Sequence, residues 1–254
     1  MILLLDIGNT SVKIATYNMK TNKIKNYASF FTYKKNIISK IAKYTKKKSI
    51  RYSLISSVVP SVFKIIKKNL SKNKIKVFEF KDNKIKKNIL IKVTKKIQVG
   101  SDRIVNAIGA LNCYKKNCIV IDFGTTTTFD VALSKNIYQG GIIAPGINLS
   151  LRSLSKFTAK LPLIKISYQK NVIGKDTKSA INSGVYIGYS CLINGIIEKI
   201  MKQTKKKYLV VLTGGYSKIF KKSINYKTVI NKNLTLHGLA MTVKENRKVF
   251  DEIR

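Results

Sequence analysis

The sequence predicts an α/β protein made of two similar halves. Three observations lead there. One turn occurs twice: Ile2–Leu5 runs into Asp6-Ile7-Gly8-Asn9-Thr10, and Cys118–Ile121 runs into Asp122-Phe123-Gly124-Thr125-Thr126. Each reads as an apolar strand, Asp-x-Gly, small hydroxyl residues and a second strand, with the two aspartates 116 residues apart, as an internal repeat requires. The segments after each turn alternate between strand-like runs and helix-like spacing. Finally, 254 residues with 44% apolar content supply enough material for two packed halves, 1–115 and 116–254.

Residues 1–17 read as a β-hairpin, and Lys23–Phe31 as a third strand. Asn36–Lys48 places Ile37, Ile38, Ile41, Ala42 and Tyr44 at helical spacing. Tyr52–Val59 is a buried strand ended by Pro60. Ser61 is expected to cap a helix through Asn69, with Val62, Ile65, Ile66 and Leu70 on one face. Lys76–Phe80 is a further strand. The polar, Lys-rich Lys81–Gln98 is a loop with a short strand at Ile89–Val93, and Gly100-Ser101-Asp102-Arg103 opens a helix reaching about Tyr114.

The second half repeats the plan. A hairpin covers Cys118–Leu133, followed by a strand at Ile137–Ile143 and a loop at Ala144-Pro145-Gly146. Asn148–Ser155 is a helix, Thr177–Lys202 a long helix containing Gly184, Gly188 and Gly195, and Tyr208–Leu212 a strand entering Thr213-Gly214-Gly215. A short helix to about Lys221, a strand near Thr228–Ile230 and a terminal helix from Leu236 complete the reading.

Composition narrows the classes of function. No apolar run approaches the length of a membrane span, and Ile2–Leu5 is too short for a signal peptide, so a cytoplasmic, membrane-free protein is expected. Cys113, Cys118 and Cys191 are odd in number and lack C-x-x-C spacing, as expected of reduced, incidental thiols. The net charge of +39 points at first to nucleic acid. Yet 45 of the 50 basic residues are Lys, spread through runs such as Lys46–Lys48, Lys67–Lys68, Lys86–Lys87 and Lys205–Lys207. That pattern is a solvated coat, with nonspecific polyanion binding as a low-salt side effect and no functional role. Against so many lysines the seven Asp stand out: five of them, Asp6, Asp102, Asp122, Asp130 and Asp176, lie in short motif-like strings with glycines, hydroxyls or Arg.

The duplicated turn suits phosphate. Glycine lets the backbone approach a phosphate, neighbouring N–H groups and hydroxyls hold its oxygens, and a strand-end Asp positions a cation. An ordinary hairpin uses the same residues as turn formers, so either copy alone carries both readings. Two matched copies favour the tail of ATP bound across a cleft. Asp102, at or beside a helix N-terminus where the dipole favours a carboxylate, is the candidate general base, and Arg103 a candidate anion partner. A plain N-cap Asp with a surface Arg fits the same spacing. Gly174-x-Asp176-Thr177 reads either as a cap for the long helix or as a substrate contact at Thr177. The lone His237 reads as a turn or packing residue. Neither a Walker-type nor a Rossmann glycine string occurs.

Taken together, DIGNTSVK (Asp6–Lys13), GSDR (Gly100–Arg103), DFGTTTTFD (Asp122–Asp130), GGIIAPG (Gly140–Gly146), AKLP (Ala159–Pro162), GKDT (Gly174–Thr177) and TGG (Thr213–Gly215) resemble, in order, the strings of type III pantothenate kinases. The resemblance covers nearly the whole chain. It implies two ribonuclease-H-like halves of the actin-like ATPase fold around an ATP cleft. It also implies ATP-dependent phosphorylation of pantothenate to 4′-phosphopantothenate, the entry to coenzyme A. By the same resemblance Asp6, Ile7, Gly8, Asn9, Thr10, Ser11, Val12 and Lys13 line the ATP phosphates and Thr125 touches ATP. Asp102 takes the hydroxyl proton, while Gly100, Ser101, Asp102, Arg103 and Thr177 contact pantothenate, Thr177 from the partner subunit of a homodimer. Asp122 holds K⁺ or NH₄⁺, and ATP arrives with Mg²⁺. Val93 replaces the family's usual substrate-contacting Tyr, and Lys96 a common Pro, so the substrate loop is expected to be remodelled. Another small-molecule kinase of the superfamily, or a nucleic-acid-binding regulator keeping the fold, are the competing functions.

Overall fold

Alternation of buried and half-exposed residues makes the first hairpin: β1 (Ile2–Ile7) is buried throughout and β2 (Ser11–Asn18) buries Val12 and Ile14 while Ser11 and Lys13 stay half-exposed. In this computed structural model, which describes residues 1–33, 36–45 and 50–251, β3 (Lys23–Phe31) continues the antiparallel meander. α1 (Ile37–Thr45) then crosses to β4 (Tyr52–Ser57), parallel to β1, and α2 (Pro60–Lys72) to β5 (Lys76–Glu79), parallel to β4. The expected helix runs into Lys46–Lys48, which lie outside the described residues.

Two helix faces close this sheet of order β3-β2-β1-β4-β5. Leu3, Leu5, Ile7 and Ile55 pack with Ile37 and Ile41 of α1 and Val62, Ile66 and Leu70 of α2 on one side. The opposite side is covered by α3 (Ser101–Tyr114) and α7 (Leu234–Glu245), joined backbone to backbone. A Cβ on Gly109 would stand 2.5 Å from Leu234 O, and one on Gly238 2.0 Å from Val105 O, so both glycines are sterically required.

The second sheet is β7 (Cys118–Phe123), β8 (Thr126–Leu133), β9 (Ile137–Pro145), β10 (Leu209–Gly214) and β11 (Thr228–Ile230). Its order is β9-β8-β7-β10-β11, with the two-residue β6 (Leu90–Ile91) beside the first residues of β9. Both sheets therefore run 3-2-1-4-5, with the 2-1 pair antiparallel and the 1-4 and 4-5 pairs parallel, which is the internal repeat realised as topology. The core of the second unit is Ile119, Ile121, Phe123 and Phe129 against α4 (Ile147–Lys156), α5 (Thr177–Thr204) and Phe220 of α6 (Ser217–Phe220). α8 (Arg247–Asp251) ends the described chain.

Several boundaries differ from expectation for local reasons. The cap at Ser61 gives way to Pro60 at the first helical position after Val59, which forms no side-chain cap; the fixed φ of proline suits that position. β9 absorbs Ala144 and Pro145, leaving Gly146 alone to start α4. α5 is long and apolar enough, by length and composition, to cross a membrane. Its Ile181, Val185, Tyr189, Ile193 and Ile197 nevertheless belong to the core, as in a central helix of a globular unit.

The chain divides into two compact units, Met1–Lys115 with Ser134–Gln139 and Asn233–Arg254, and Lys116–Leu133 with Gly140–Lys232. The terminal helices group with the first unit because α7 buries its apolar face on α3, β1 and β4.

Candidate active site

The two Asp-x-Gly turns share a plan and differ in detail. In the first, the Gly8 N–H donates to Ser11 O at 3.0 Å, and Thr32 pins the loop by donating from Oγ1 to Gly8 O (2.6 Å) and from N–H to Thr10 O (3.0 Å). In the second, the Gly124 N–H donates to Thr126 O at 3.1 Å, so the loop is one residue shorter. That residue shifts the partner opposite each aspartate. Asp6 pairs with Lys13 across the hairpin, whereas Asp122 pairs with Thr128. On the other side each aspartate neighbours a hydroxyl residue of the parallel strand: Ser56 for Asp6 and Thr213 for Asp122. Only the first turn thus carries a built-in cation beside its carboxylate.

Asp6 is buried at 8% exposure, Asn9 and Thr10 are exposed, and Gly8, Ser11 and Lys13 half-exposed. Ile7 and Val12 are fully buried in the core, so ligand contact from those two positions runs through their backbone. Thr125 is exposed on the second turn.

Two glycines clasp that second turn, and explain two of the sequence strings. A Cβ on Gly146 would fall 2.0 Å from Thr125 O. Gly214 has φ +83°, and a Cβ there would fall 2.5 Å from Phe123 O and 2.7 Å from Asp122 Oδ1, while the Gly215 N–H donates to Phe123 O at 3.1 Å. In both cases the close approach is to the turn's own backbone. Beside Asp122, the Oγ1 of the fully buried Thr213 has no hydrogen-bond partner. A carboxylate next to an orphaned hydroxyl oxygen offers two hard oxygen donors of the kind a cation takes.

Gly100 starts α3, and Asp102 lies in its first turn, half-exposed like Arg103. The Asp102 carboxylate folds back over the helix start: Oδ1 accepts from the Arg103 N–H at 2.9 Å and lies 2.5 Å from where a Gly100 Cβ would be. A side chain at position 100 would push the carboxylate out of this placement. Ser101 points the other way and is buried at 1% exposure. Its hydroxyl donates to Ser57 O (3.1 Å) and accepts from Ser56 Oγ (3.0 Å). The sequence reading missed Ser56. The signal available was a pair of hydroxyls, Ser56-Ser57, ending a wholly buried strand just after Leu54-Ile55.

The cap read at Gly174-x-Asp176-Thr177 is present. Asp176 caps α5, accepting from the Ser179 N–H at 3.0 Å while its own N–H donates to Ser179 Oγ at 3.1 Å. The Ser179 hydroxyl bond, then its backbone bond, hold the Asp176 carboxyl below the ordinary carboxylate range. Thr177 itself is exposed at the first helical position. Val93 sits in a bend just after β6, half-exposed, and Lys96 opens a short 3₁₀ turn through Gln98.

Two sheets of one repeated order, each with an Asp-x-Gly turn between its first two strands, define an actin-like ATPase and sugar-kinase fold. Solved structures agree on the fold. A Campylobacter jejuni chain described as a Baf family transcriptional activator superposes with TM-score 0.63 at 21% identity, covering 97% of this chain and 99% of that one. Component A of (R)-2-hydroxyglutaryl-CoA dehydratase from Acidaminococcus fermentans superposes with TM-score 0.56 at 12% identity, covering 98% of each. The sequence goes further. The model of the type III pantothenate kinase family matches residues 2–199. Type III pantothenate kinases of Pelagibacter ubique and a Sulfurihydrogenibium species are 44% and 36% identical, over 94% of this chain and 97% and 98% of theirs. The chain belongs to the type III pantothenate kinase family.

Proposed function

We propose that this protein transfers the γ-phosphoryl group of ATP to the primary hydroxyl of pantothenate, giving 4′-phosphopantothenate and ADP, the first step of coenzyme A biosynthesis. The observation that carries the reading is the family match over residues 2–199 together with 44% identity to a pantothenate kinase across nearly the full length of both chains.

Phosphoryl transfer asks for alignment, charge neutralisation and a positioned base. Asp102 accepts the hydroxyl proton as the oxygen bonds to the γ-phosphorus, and the bond from that phosphorus to the bridging oxygen breaks toward ADP. What supports Asp102 is its place in the first turn of α3, folded over a glycine that leaves it room. Gly100 and Arg103 flank pantothenate from the same turn, Ser101 does so through its backbone, and Thr177 contributes from the second copy. Asp6 through Lys13 hold the phosphates, with Lys13 opposite Asp6 supporting the assignment, and Thr125 touches ATP. Asp122, with Thr213 as a neighbouring oxygen donor, would hold a K⁺ or NH₄⁺ ion, which would offset phosphate charge as Mg²⁺ does on ATP itself.

A homodimer working in the cytoplasm is part of the reading. Its support is the apolar surface the second unit leaves exposed, including Phe157 (77%), Leu163 (60%), Val172 (68%) and Ile173 (82%).

The test is a coupled ADP-release assay with ATP, Mg²⁺ and pantothenate, with and without K⁺. Pantothenate- and K⁺-dependent turnover that falls by about 10²–10⁴ in Asp102→Asn is expected for loss of a general base. Absence of pantothenate-dependent turnover in the wild type refutes the reading.

A further inference from the structure

We propose that Ser56 is a positioning residue of this kinase: through a buried chain of hydroxyls it locks the start of α3, and with it Asp102, to the strand pair that carries Asp6. The inference rests on the kinase reading above and goes beyond it by naming what aligns the base.

In the first sheet Lys13, Asp6 and Ser56 are register partners on three adjacent strands, so their side chains share one face. That face is the one α3 covers: Leu3, Leu5 and Ile7 face α1 and α2, and Asp6 lies between them in the alternation. Ser56, at 0% exposure, donates from Oγ to Ser101 Oγ at 3.0 Å. Ser101, at 1%, donates in turn to Ser57 O at 3.1 Å. Two adjacent residues at the end of β4 thus grip the first residue of α3. The Val58 N–H donates to Ile7 O at 3.0 Å and extends the β1–β4 ladder past this grip, so the anchor point cannot drift from β1.

The consequence lies one residue away. Asp102 follows Ser101 directly, so its backbone moves with the anchored turn. Its carboxylate is settled over Gly100 and on the Arg103 N–H, both in that turn. A base on the first turn of a helix is only as well placed as the turn. Because the anchor is buried, the hydroxyl bonds face no competition from water. Ser101 consequently spends its hydroxyl on the protein, and presents backbone alone to a substrate.

The same strand supplies a control. Ser53 is equally buried at 0%, but its Oγ has no hydrogen-bond partner and it stands on the face opposite Ser56. A buried serine that only fills space and one that aligns a base therefore sit three residues apart.

The experiment compares Ser56→Ala, Ser56→Thr and Ser53→Ala by steady-state kinetics with pantothenate and ATP, kcat against pH, and thermal melting. A displacement of the base by a fraction of an ångström to one ångström costs on the order of tenfold to a hundredfold. The expected result is a kcat about tenfold lower in Ser56→Ala, KM for ATP within about twofold, and a shifted acid limb of the pH profile. Ser56→Thr keeps the donor and recovers most of the loss, and Ser53→Ala behaves as wild type. Amide hydrogen exchange should speed up across Ser101–Ile104 in Ser56→Ala only. A Ser56→Ala enzyme with wild-type kcat and pH profile overturns the inference. So does a loss of activity that appears only near its melting temperature, since that is a merely structural role. An inactive wild type would overturn the kinase reading and this inference with it. An active wild type with an unaffected Ser56→Ala variant overturns this inference alone.

Discussion

Gly214 and Gly215 are neighbours in one Gly-Gly pair, and the structure predicts opposite consequences for replacing them by alanine. Gly214 has φ +83°, and an added Cβ would stand 2.5 Å from Phe123 O, 2.6 Å from Phe123 C and 2.7 Å from Asp122 Oδ1. An L-residue in a left-handed conformation costs about 1–2 kcal/mol. Forcing a methyl group into a filled site adds roughly 1–3 kcal/mol. Little relaxation is available, because Phe123 O is held by the Gly215 N–H and Asp122 pairs directly with Thr213 in the ladder. The total for Gly214→Ala is thus about 2–5 kcal/mol, a fall in melting temperature on the order of 10 °C for a chain of this size. At Gly215 a Cβ meets nothing within 4 Å, so Gly215→Ala should lie within about 0.5 kcal/mol of wild type. Calorimetry of the three proteins measures this, and the K⁺ dependence of turnover reads the displaced Asp122. Equal melting temperatures for the two variants would refute the reasoning, because they differ only in the space and backbone angle assigned here.

Two further outcomes are expected. Asn246, at 6% exposure, accepts the Lys86 N–H at 2.8 Å and donates to Lys86 O at 2.9 Å and Thr242 O at 2.7 Å; Asn246→Ala leaves these groups unpaired and should cost about 2–3 kcal/mol in urea unfolding. Burial lowers the pKa of His237 from 6.5, so the folded state keeps the ring neutral while the unfolded chain protonates it first. Stability is therefore complete above pH 6.5 and declines as pH falls below it; melting curves between pH 7.5 and 5.5 should show this decline in the wild type and not in His237→Gln, a clean assignment because the chain has one histidine.

How much of this was legible in the sequence depended on the range of the interaction. The strands Lys23–Phe31 and Thr228–Ile230 and the helix opening at Gly100 follow from local periodicity and turn chemistry, and the structure has them at those positions. The capping box at Asp176 and Ser179 is local in the same sense, three residues apart. The Asp-x-Gly repeat was visible because both copies keep the residues a tight strand-to-strand turn demands. What the sequence could not separate were roles carried by one residue type. Gly109 and Gly238 hold two helices together, Gly146 and Gly214 clasp a turn, and Gly184 and Gly188 have open space where a side chain would go. Ser53 and Ser56 differ only in which face of β4 they occupy and whether a partner from α3 arrives there.

The chain by itself determined the α/β class, the duplicated half, the order of its elements and the short strings that mark its family, since these rest on spacing and on residues within a few positions of each other. Tertiary structure decided that the terminal helices pack with the first unit, that Asp6 has a lysine opposite while Asp122 has a threonine, and that Ser56 and Ser101, 45 residues apart, share a hydrogen bond. The physical reason is that register and packing bring together groups distant in sequence. Whether a glycine is indispensable or a serine is an anchor depends on the atom a few ångströms away and not on its neighbours along the chain.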